Sequence, residues 1–248
     1  MIYSDNIAYQ SFEFLKLEQS VLSGKYILIK SLSMLTVKTF TFNPILENTY
    51  VLYNDKDACC IIDPGCYFGN ERKILQDFIE EKKLFPKYLL NTHCHLDHVF
   101  GNKFVHDQYI IPLYIHPNEE LVLKYAPEAG QRWNMPFENY RSELMFLKEN
   151  ECIKLDEDEL LVLFSPGHSP GSICFYSPSQ KFIISGDVLF RKSIGRTDLP
   201  GGDYDTLIHS IRHTLFSLPD DTVVYPGHGE PTTIGFEKMN NPFLKEEE

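Results

Sequence analysis

The sequence predicts a layered α/β protein in which sheets are covered by helices. Two observations lead to this class. Apolar runs of strand length alternate with segments of helical periodicity, and several of those runs end in turns rich in Gly and Pro. The chain has 248 residues and is 43% hydrophobic, so it can bury a sizeable core without disulfides.

The first half of the chain is predicted to alternate strands with helices. MLTVKTFTFNPILENTYVLYN indicates two strands joined by a turn, and ACCIIDPG and KYLLNTH indicate buried strands. NERKILQDFIEEKKL predicts a helix with Ile74, Leu75, Phe78 and Ile79 on one face. GNKFVHDQY suits a short helix and IPLYIHP another strand.

The second half begins with a less regular segment. KYAPEAGQRWNMPFENY has no clean period, so we predict a loop or lid there. Three strands are predicted between Glu159 and Leu189, with turns at SPGHSPGS and SPSQK. DYDTLIHSIRHTLFSL predicts a helix, and DTVVYPGHG a last strand. The inward residues of that helix are predicted to be Ile208, Ile211, Leu215 and Leu218.

Two regions of the chain are predicted. Residues 1–33 are difficult to place, and a second methionine, Met34, opens the first clear strand pattern. We therefore predict an N-terminal extension over residues 1–33 and the functional domain over residues 34–248.

Charge and cysteine content exclude some function classes. The net charge of −12 argues against a nucleic-acid partner, which needs clustered Lys and Arg. No segment is apolar enough to suggest a membrane span, and no signal peptide is recognised. The six cysteines form no CxxC pair, so we predict reduced thiols in a cytoplasmic protein. Core packing is predicted for Cys59, Cys60, Cys152 and Cys174.

A dense string of metal-capable side chains, THCHLDH, follows the predicted strand KYLL. Residues two apart on an extended backbone point the same way, so we expect His93 and His95 to project together and Cys94 to point away. Asp97 and His98 follow, where a turn can swing both back. The string predicts a metal site at the end of this strand.

Three further metal-capable residues follow apolar strands: His168, Asp187 and His228. If those strands are neighbours, all these side chains converge at one sheet edge. Two ligand groups that share Asp187 are predicted: His93, His95, His168 and Asp187, and Asp97, His98, His228 and Asp187. Imidazole and carboxylate without thiolate suit two divalent ions, Zn²⁺ first, with Fe or Mn²⁺ as alternatives. The other histidines are predicted not to be ligands: His106, His116, His209 and His213.

The motifs THCHLDH, GH at 167–168, GD at 186–187 and PGHG at 226–229 resemble those of the metallo-β-lactamase superfamily. The resemblance covers most of residues 34–244. It implies a four-layer αβ/βα sandwich, with the metal site along one edge of two sheets and the seven residues above as ligands. GDVLFRKSIGRTDLPGGD and SLPDDTVVYPGHG look like a short form of the glyoxalase II-like hydrolases. Only 20 residues follow His228 in this sequence, so we expect the chain to differ from full-length members in the helical region with which they bind glutathione.

That resemblance implies hydrolysis of a hydroxyacyl thioester to a hydroxy acid and a thiol. A metal-bridging hydroxide would attack the carbonyl, with Asp97 as the catalytic residue that orients it. An anionic thioester would be anchored by cations that follow Asp187, and the segment around Trp133 would close over it. The candidate substrate-binding residues are Arg191, Lys192, Arg196, Trp133 and Tyr140. For Arg196 the alternative is an internal ion pair with Asp198.

Three other functions remain open on the sequence. Persulfide dioxygenases, which use a single iron, are also similar to this chain in THCH and GRTD. A lactonase is a second alternative, because a bridging hydroxide attacks any activated acyl group. A non-catalytic binding protein of the same fold is the third. The oligomeric state is not predicted.

Overall fold

The computed structural model describes residues 34–245, so the predicted extension at residues 1–33 lies outside the described residues. The first half contains six strands and four helices: β1 Thr36–Phe42, β2 Glu47–Tyr53, β3 Ala58–Ile62, α1 Gly69–Glu81, β4 Phe85–Leu90, α2 Leu96–Val99, α3 Asn102–Tyr109, β5 Leu113–Ile115, α4 Glu120–Arg132 and β6 Leu144–Phe146.

The second half contains eight strands and two helices, and both helices come after β10 in the chain. They are β7 Cys152–Leu155, β8 Asp158–Phe164, β9 Ile173–Ser177, β10 Phe182–Gly186, β11 Leu189–Phe190, β12 Ser193–Ile194, α5 Tyr204–His213, β13 Val223–Pro226, β14 Thr232–Thr233 and α6 Ile234–Asn240.

Two six-stranded sheets form the centre of the fold. One has the order β1-β2-β3-β4-β5-β6 and the other β14-β13-β10-β9-β8-β7. Strands β3, β4, β5 and β6 run parallel to one another, whereas β7, β8, β9 and β10 are joined antiparallel. Each half of the chain builds one sheet, as expected when sequential elements are neighbours in space.

Side-chain alternation along β3 shows how the first sheet is covered on both faces. Cys59 and Ile61 join the core that contains Leu75 of α1, while Cys60 and Ile62 join the core shared with the second sheet. Successive side chains of a strand point to opposite faces, so a wholly apolar strand must be buried on both.

The second sheet is covered in the same way. Ile184 of β10 packs between the sheets, and Ile183 packs against Leu207 and Ile211 of α5. The layers are therefore helix, sheet, sheet and helix, which confirms the four-layer αβ/βα sandwich. Among residues 34–245, no helix has the length and apolar character needed to cross a bilayer.

The predicted loop or lid at residues 124–140 was wrong over its first half, because α4 continues to Arg132. This helix has two apolar faces: Leu123 and Ala126 enter the core, while others face a cavity described below. Two apolar faces give no single stripe, which explains the missing period. Pro127 is tolerated because Asn139 Nδ2 donates to the Leu123 carbonyl that proline leaves free, at 2.7 Å.

Smaller corrections concern individual residues and strands. Ile74 is 48% exposed, although Leu75 and Ile79 beside it are buried as predicted. Cys152 is exposed on β7, an unpredicted strand, whereas Cys59, Cys60 and Cys174 are buried in the core as predicted. The strand β13 is not the last, since the two-residue β14 pairs with it.

Deleting residues 1–33 should leave metal content and activity unchanged, because all seven predicted ligands and both sheets lie within residues 34–245. Elemental analysis and thermal unfolding of the shortened chain would measure this. As a control, deletion of residues 1–42 also removes β1 and the buried Leu35 and Phe42, and should destabilise the fold. Loss of both metal and activity in the shorter deletion would contradict the predicted boundary.

Candidate metal centre

The metal-capable residues meet where the same ends of the two sheets come together. His93 and His95 follow β4, His168 lies between β8 and β9, and Asp187 and His228 follow β10 and β13. Backbone hydrogen bonds join the sheets at this edge: Ile173 N donates to Thr92 O at 2.9 Å, and Asn48 N to Gly227 O at 2.7 Å. The strand ends thus carry side chains from both sheets to one place. The prediction that His93 and His95 project together from a strand was partly wrong, because β4 ends at Leu90 and both histidines lie on the following loop.

Three histidines form the first ligand group: His93, His95 and His168. His168 Nε2 lies 2.8 Å from His95 Nδ1 and 3.2 Å from His93 Nε2. Burial is the largest cause that lowers the pKa of each ring, to about 3 for His95. The rings are therefore neutral and present converging lone pairs, the form in which imidazole binds a metal.

Asp97, His98 and His228 form the second group. Asp97 Oδ2 lies 3.2 Å from His228 Nε2 and 3.7 Å from His98 Nε2. Although burial acts to lower the pKa of His98, the carboxylates of Asp187 and Asp97 hold that pKa well above its usual value. Burial also acts to lower the pKa of His228, but the hydrogen bond to Asp97 and the nearby Asp187 outweigh burial and raise that pKa. This group therefore attracts positive charge.

Asp187 lies between the two groups, in the position that a shared ligand would occupy. Its Oδ2 is 3.5 Å from His168 Nε2 and 3.5 Å from His228 Nε2, and its Oδ1 is 3.5 Å from His98 Nε2. Burial would raise the pKa of Asp187, but the nearby His98 outweighs it and holds that pKa well below the ordinary value. Asp187 Oδ1 and His98 Nε2 are both buried without a hydrogen-bond partner. Such orphaned polar atoms facing each other fit a bound cation.

Gly227 allows this close approach. A Cβ at this position would lie 2.1 Å from Asp187 Oδ1 and 2.8 Å from His98 Cε1. Any other residue would displace two candidate ligands, so the PGHG sequence supplies space as well as His228.

Asp63 and Thr92 orient the rings from behind. Asp63 follows β3; its Oδ2 lies 3.1 Å from His98 Nδ1, and its Oδ1 accepts from Thr92 N at 2.7 Å. Thr92 Oγ1 donates to Asp63 Oδ2 and lies 3.1 Å from His93 Nδ1. Such contacts select the ring nitrogen that faces the metal. Sequence reasoning missed Asp63, although its place after an apolar strand, in IIDPG, was a usable signal.

Backbone carbonyls orient two other rings. His168 Nδ1 lies 2.8 Å from Arg196 O, and His228 Nδ1 lies 3.1 Å from Leu46 O. Since a carbonyl only accepts, both rings carry a proton on Nδ1 and turn Nε2 toward the ligand groups.

Glu119 joins the two loops that carry the first group, and sequence reasoning missed it. Its buried carboxylate accepts from Cys94 N at 2.7 Å, from Ser169 Oγ at 2.6 Å and from Gly171 N at 2.7 Å. Cys94 separates the two loop histidines, and Ser169 follows His168. The side chain therefore sets the spacing of all three rings.

A cavity of about 1310 Å³ opens beside the ligand groups. Candidate ligands line it together with the outer face of α4, including Trp133. Of the predicted substrate residues, Arg196 also lines it, but its side chain forms a two-pronged ion pair with Asp198 at 2.7 and 2.8 Å. This is the alternative weighed for Arg196, and it follows from the two-residue spacing.

Three other predicted substrate residues do not line this cavity. Arg191 and Lys192 lie over the ring of Phe236 instead. Tyr140 is buried in the first core, where its hydroxyl donates to Glu143 O and accepts from Leu113 N. Arg191 and Lys192 lie close to Asp187 in the sequence, and Tyr140 lies close to Trp133. Their side chains nevertheless pack elsewhere and not at the metal site.

The four histidines predicted to lie outside the site do so: none of His106, His116, His209 and His213 belongs to a ligand group among the described residues. His209 and His213 are exposed on α5, as expected for residues beside its apolar stripe.

The chain belongs to the metallo-β-lactamase superfamily, whose family model matches residues 43–228. The fold and the site together therefore define this protein as a metal-dependent hydrolase. The chain is 40% identical over 200 residues to the hydroxyacylglutathione hydrolase GloC of Haemophilus influenzae, covering 80% of this chain and 92% of the relative. It is 42% identical over 202 residues to the probable metallo-hydrolase YqgX of Bacillus subtilis, covering 81% and 93%.

Two solved structures are similar over the whole of their chains. The B3 metallo-β-lactamase BLEG-1 is 37% identical with a TM-score of 0.79, covering 85% of this chain and 100% of its own. TTHA1623, solved in a di-iron-bound form, is 36% identical with a TM-score of 0.76, covering 84% and 100%. Divalent metal binding is thus a property of the fold, and it agrees with the donor set found here.

Replacing Asp187 with alanine should lower the metal content from about two ions per chain to at most one, because both groups lose their shared carboxylate. His228→Ala should affect the second group alone. Elemental analysis of each variant measures this, with Asp205→Ala, an aspartate exposed on α5, as the control. Full metal content in the Asp187 variant would refute its shared role.

Glu119→Gln should weaken metal binding by the three-histidine group by about 10–100-fold, since an amide NH₂ cannot accept from Cys94 N. Chelator competition and the absorption spectrum of the cobalt-substituted protein would report that group. Glu237→Gln is the matched control: Glu237 is fully buried and accepts from Lys192 N, Asn241 Nδ2 and Thr232 Oγ1, away from the ligands. Equal effects of the two variants would mean that Glu119 stabilises the fold in general and does not position the ligand rings.

Proposed function

We propose that this metal-dependent hydrolase cleaves the thioester of a small hydroxy acid, as glyoxalase II-type enzymes do, to give the hydroxy acid and a thiol. The observation that carries the proposal is the pair of ligand groups joined by Asp187. The 40% identity to a hydroxyacylglutathione hydrolase supports the choice of substrate bond.

Two divalent ions, most simply Zn²⁺, are the proposed cofactors. The seven side chains fit them, because neutral imidazoles, ionised carboxylates and two orphaned buried atoms converge there. When bound, such a pair supplies Lewis acidity and a water that is deprotonated near neutral pH. Fe or Mn²⁺ would satisfy the same donors.

The protein's own groups position the reaction. Asp97 is proposed as the catalytic residue: its carboxylate is held by His228 and lies at the cavity wall, where it can orient the attacking water. His98 and its neighbours outweigh the effect of burial and lower the pKa of Asp97, so it accepts hydrogen bonds as a carboxylate. Asp63, Thr92 and Glu119 keep the ligand rings in place, which limits reorganisation during the reaction.

A mononuclear persulfide dioxygenase is the first alternative. That chemistry would need only one iron, held by two histidines of the HxHxDH string, His168 and Asp187, and would leave the other candidate ligands unused. Here Asp97, His98 and His228 also converge, which favours the two-ion hydrolase. The similarity to BLEG-1 makes β-lactam cleavage a second alternative, and lactone cleavage uses the same attack on an activated acyl group.

We propose a cytoplasmic location, since six free thiols suit a reducing compartment. The partner is proposed to be a small anionic thioester and neither a nucleic acid nor a membrane.

The zinc-loaded protein should release free thiol from S-lactoylglutathione or another hydroxyacyl thioester, with about two ions per chain. The same preparation, and one loaded with iron, should consume no oxygen with glutathione persulfide. Thiol titration and an oxygen electrode measure the two reactions, and a lactam and a lactone complete the series. Oxygen uptake with one iron per chain, and no thioester cleavage, would favour the dioxygenase.

A further inference from the structure

The cavity beside the metal centre has one wall whose chemistry the proposed reaction does not use. Helix α4 presents large apolar side chains to it, and three of them are strongly exposed: Leu121 at 63%, Tyr125 at 53% and Trp133 at 54%. Leu121 and Tyr125 are four residues apart and share one helix face, and Trp133 follows directly after the last turn of α4. An exposed apolar face inside a concave site is typical of ligand binding.

This face begins at the metal centre and leads away from it. Glu119, at the start of α4, bonds Cys94 N between the two loop histidines, and Asn118 Nδ2 donates to Pro170 O close to His168. A helix rises about 1.5 Å per residue, so the far end of α4 lies roughly 20 Å along its axis from Glu119. Side chains from both ends line the same cavity.

Arg132 stands at that far end. It lines the cavity, and no ion pair involves it among residues 34–245. Glu128 lies one turn earlier on the same helix without pairing with it, whereas the other arginine of the cavity, Arg196, is occupied by Asp198. In a protein of net charge −12, an unpaired guanidinium in a cavity is suited to an anionic ligand group.

We propose that the cavity face of α4 binds an apolar arm of the substrate, and that Arg132 receives an anionic group at the end of that arm. This rests on the proposed function: the acyl half is a small hydroxy acid, so the arm belongs to the thiol half. The preferred substrate is then the thioester of an aromatic or long aliphatic thiol acid. A polar thiol such as glutathione would leave Leu121 and Tyr125 uncovered.

Four lactoyl thioesters test the arm and the anion separately. Their thiols are 4-(mercaptomethyl)benzoic acid, its methyl ester, 3-mercaptopropionic acid and glutathione. With the zinc-loaded full chain, we expect the highest kcat/KM for the aromatic acid. Tyr125→Ser should lower kcat/KM roughly tenfold for both aromatic thioesters and little for the others, because the lost contact is apolar. Phe85→Ser is the control, an apolar residue 66% exposed at the start of β4 and outside the cavity.

Arg132→Gln should raise KM about fivefold for the aromatic acid while its kcat and the values for the methyl ester stay unchanged, since an exposed ion pair is modest in strength. Arg141→Gln is the matched control, because Arg141 is an exposed arginine that does not line this cavity.

Binding has a second readout that does not depend on turnover. Trp133 is the only tryptophan, so its fluorescence should change when an uncleavable thioether of the aromatic acid binds, and more thioether should be needed in the Arg132 variant.

If no thioester is cleaved, the proposed function fails. If thioesters are cleaved but Tyr125→Ser and Arg132→Gln act equally on all four, and Trp133 emission does not change, the assignment of α4 is overturned and the function stands. A change of oligomeric mass in Leu121→Ser with unchanged kinetics would assign this face to a second copy and also overturn the proposal.

Discussion

The burial of Asp187 among histidine rings is the interaction on which the rest of the site depends. A carboxylate without sufficient compensating charge is costly in a protein interior, and one of its oxygens has no hydrogen-bond partner. His98 and His228 respond with raised pKa values, so the pocket attracts protons when metal ions are not bound. Divalent cations supply the same positive charge with better geometry. The residues of this site therefore require positive charge nearby, which bound metal ions would supply.

That arrangement exists because two sheets end at the same place. The first sheet carries the histidine string after β4, and the second carries His168, Asp187 and His228. Neither sheet alone holds a complete ligand group, since the first group takes rings from both. Hydrogen bonds across the edge, and the buried carboxylate of Glu119, keep the loops in register. Precision at the metals is therefore a property of the sandwich and of loops tied to rigid strands.

Helix α4 connects the scaffold to the cavity beside the ligand groups. One of its faces completes the first core through Leu123 and Ala126, and another lines the cavity. Metal ions held by these ligand groups would activate a water for attack on many acyl bonds, which agrees with the different names carried by similar proteins. Under the proposal made for α4, discrimination among substrates depends on the cavity walls, whose apolar area and charge contact the part of the substrate that does not react.

The sequence by itself determined the class of fold and the metal-capable residues. Alternating strands and helices, and polar residues placed directly after apolar strands, required only local patterns, because strand ends must leave the core. The string THCHLDH and the later His168, Asp187 and His228 could be found without coordinates.

Tertiary structure decided what depends on contacts between distant segments. Glu119 looks like an ordinary acid in the sequence, and only its burial against Cys94 and Gly171 shows its role. Among the cations, local sequence pointed to Arg191 and Arg196, yet packing turned one onto Phe236 and paired the other with Asp198. The physical reason is that a side chain's direction and partners are set by the elements that pack around it, which sequence spacing does not specify.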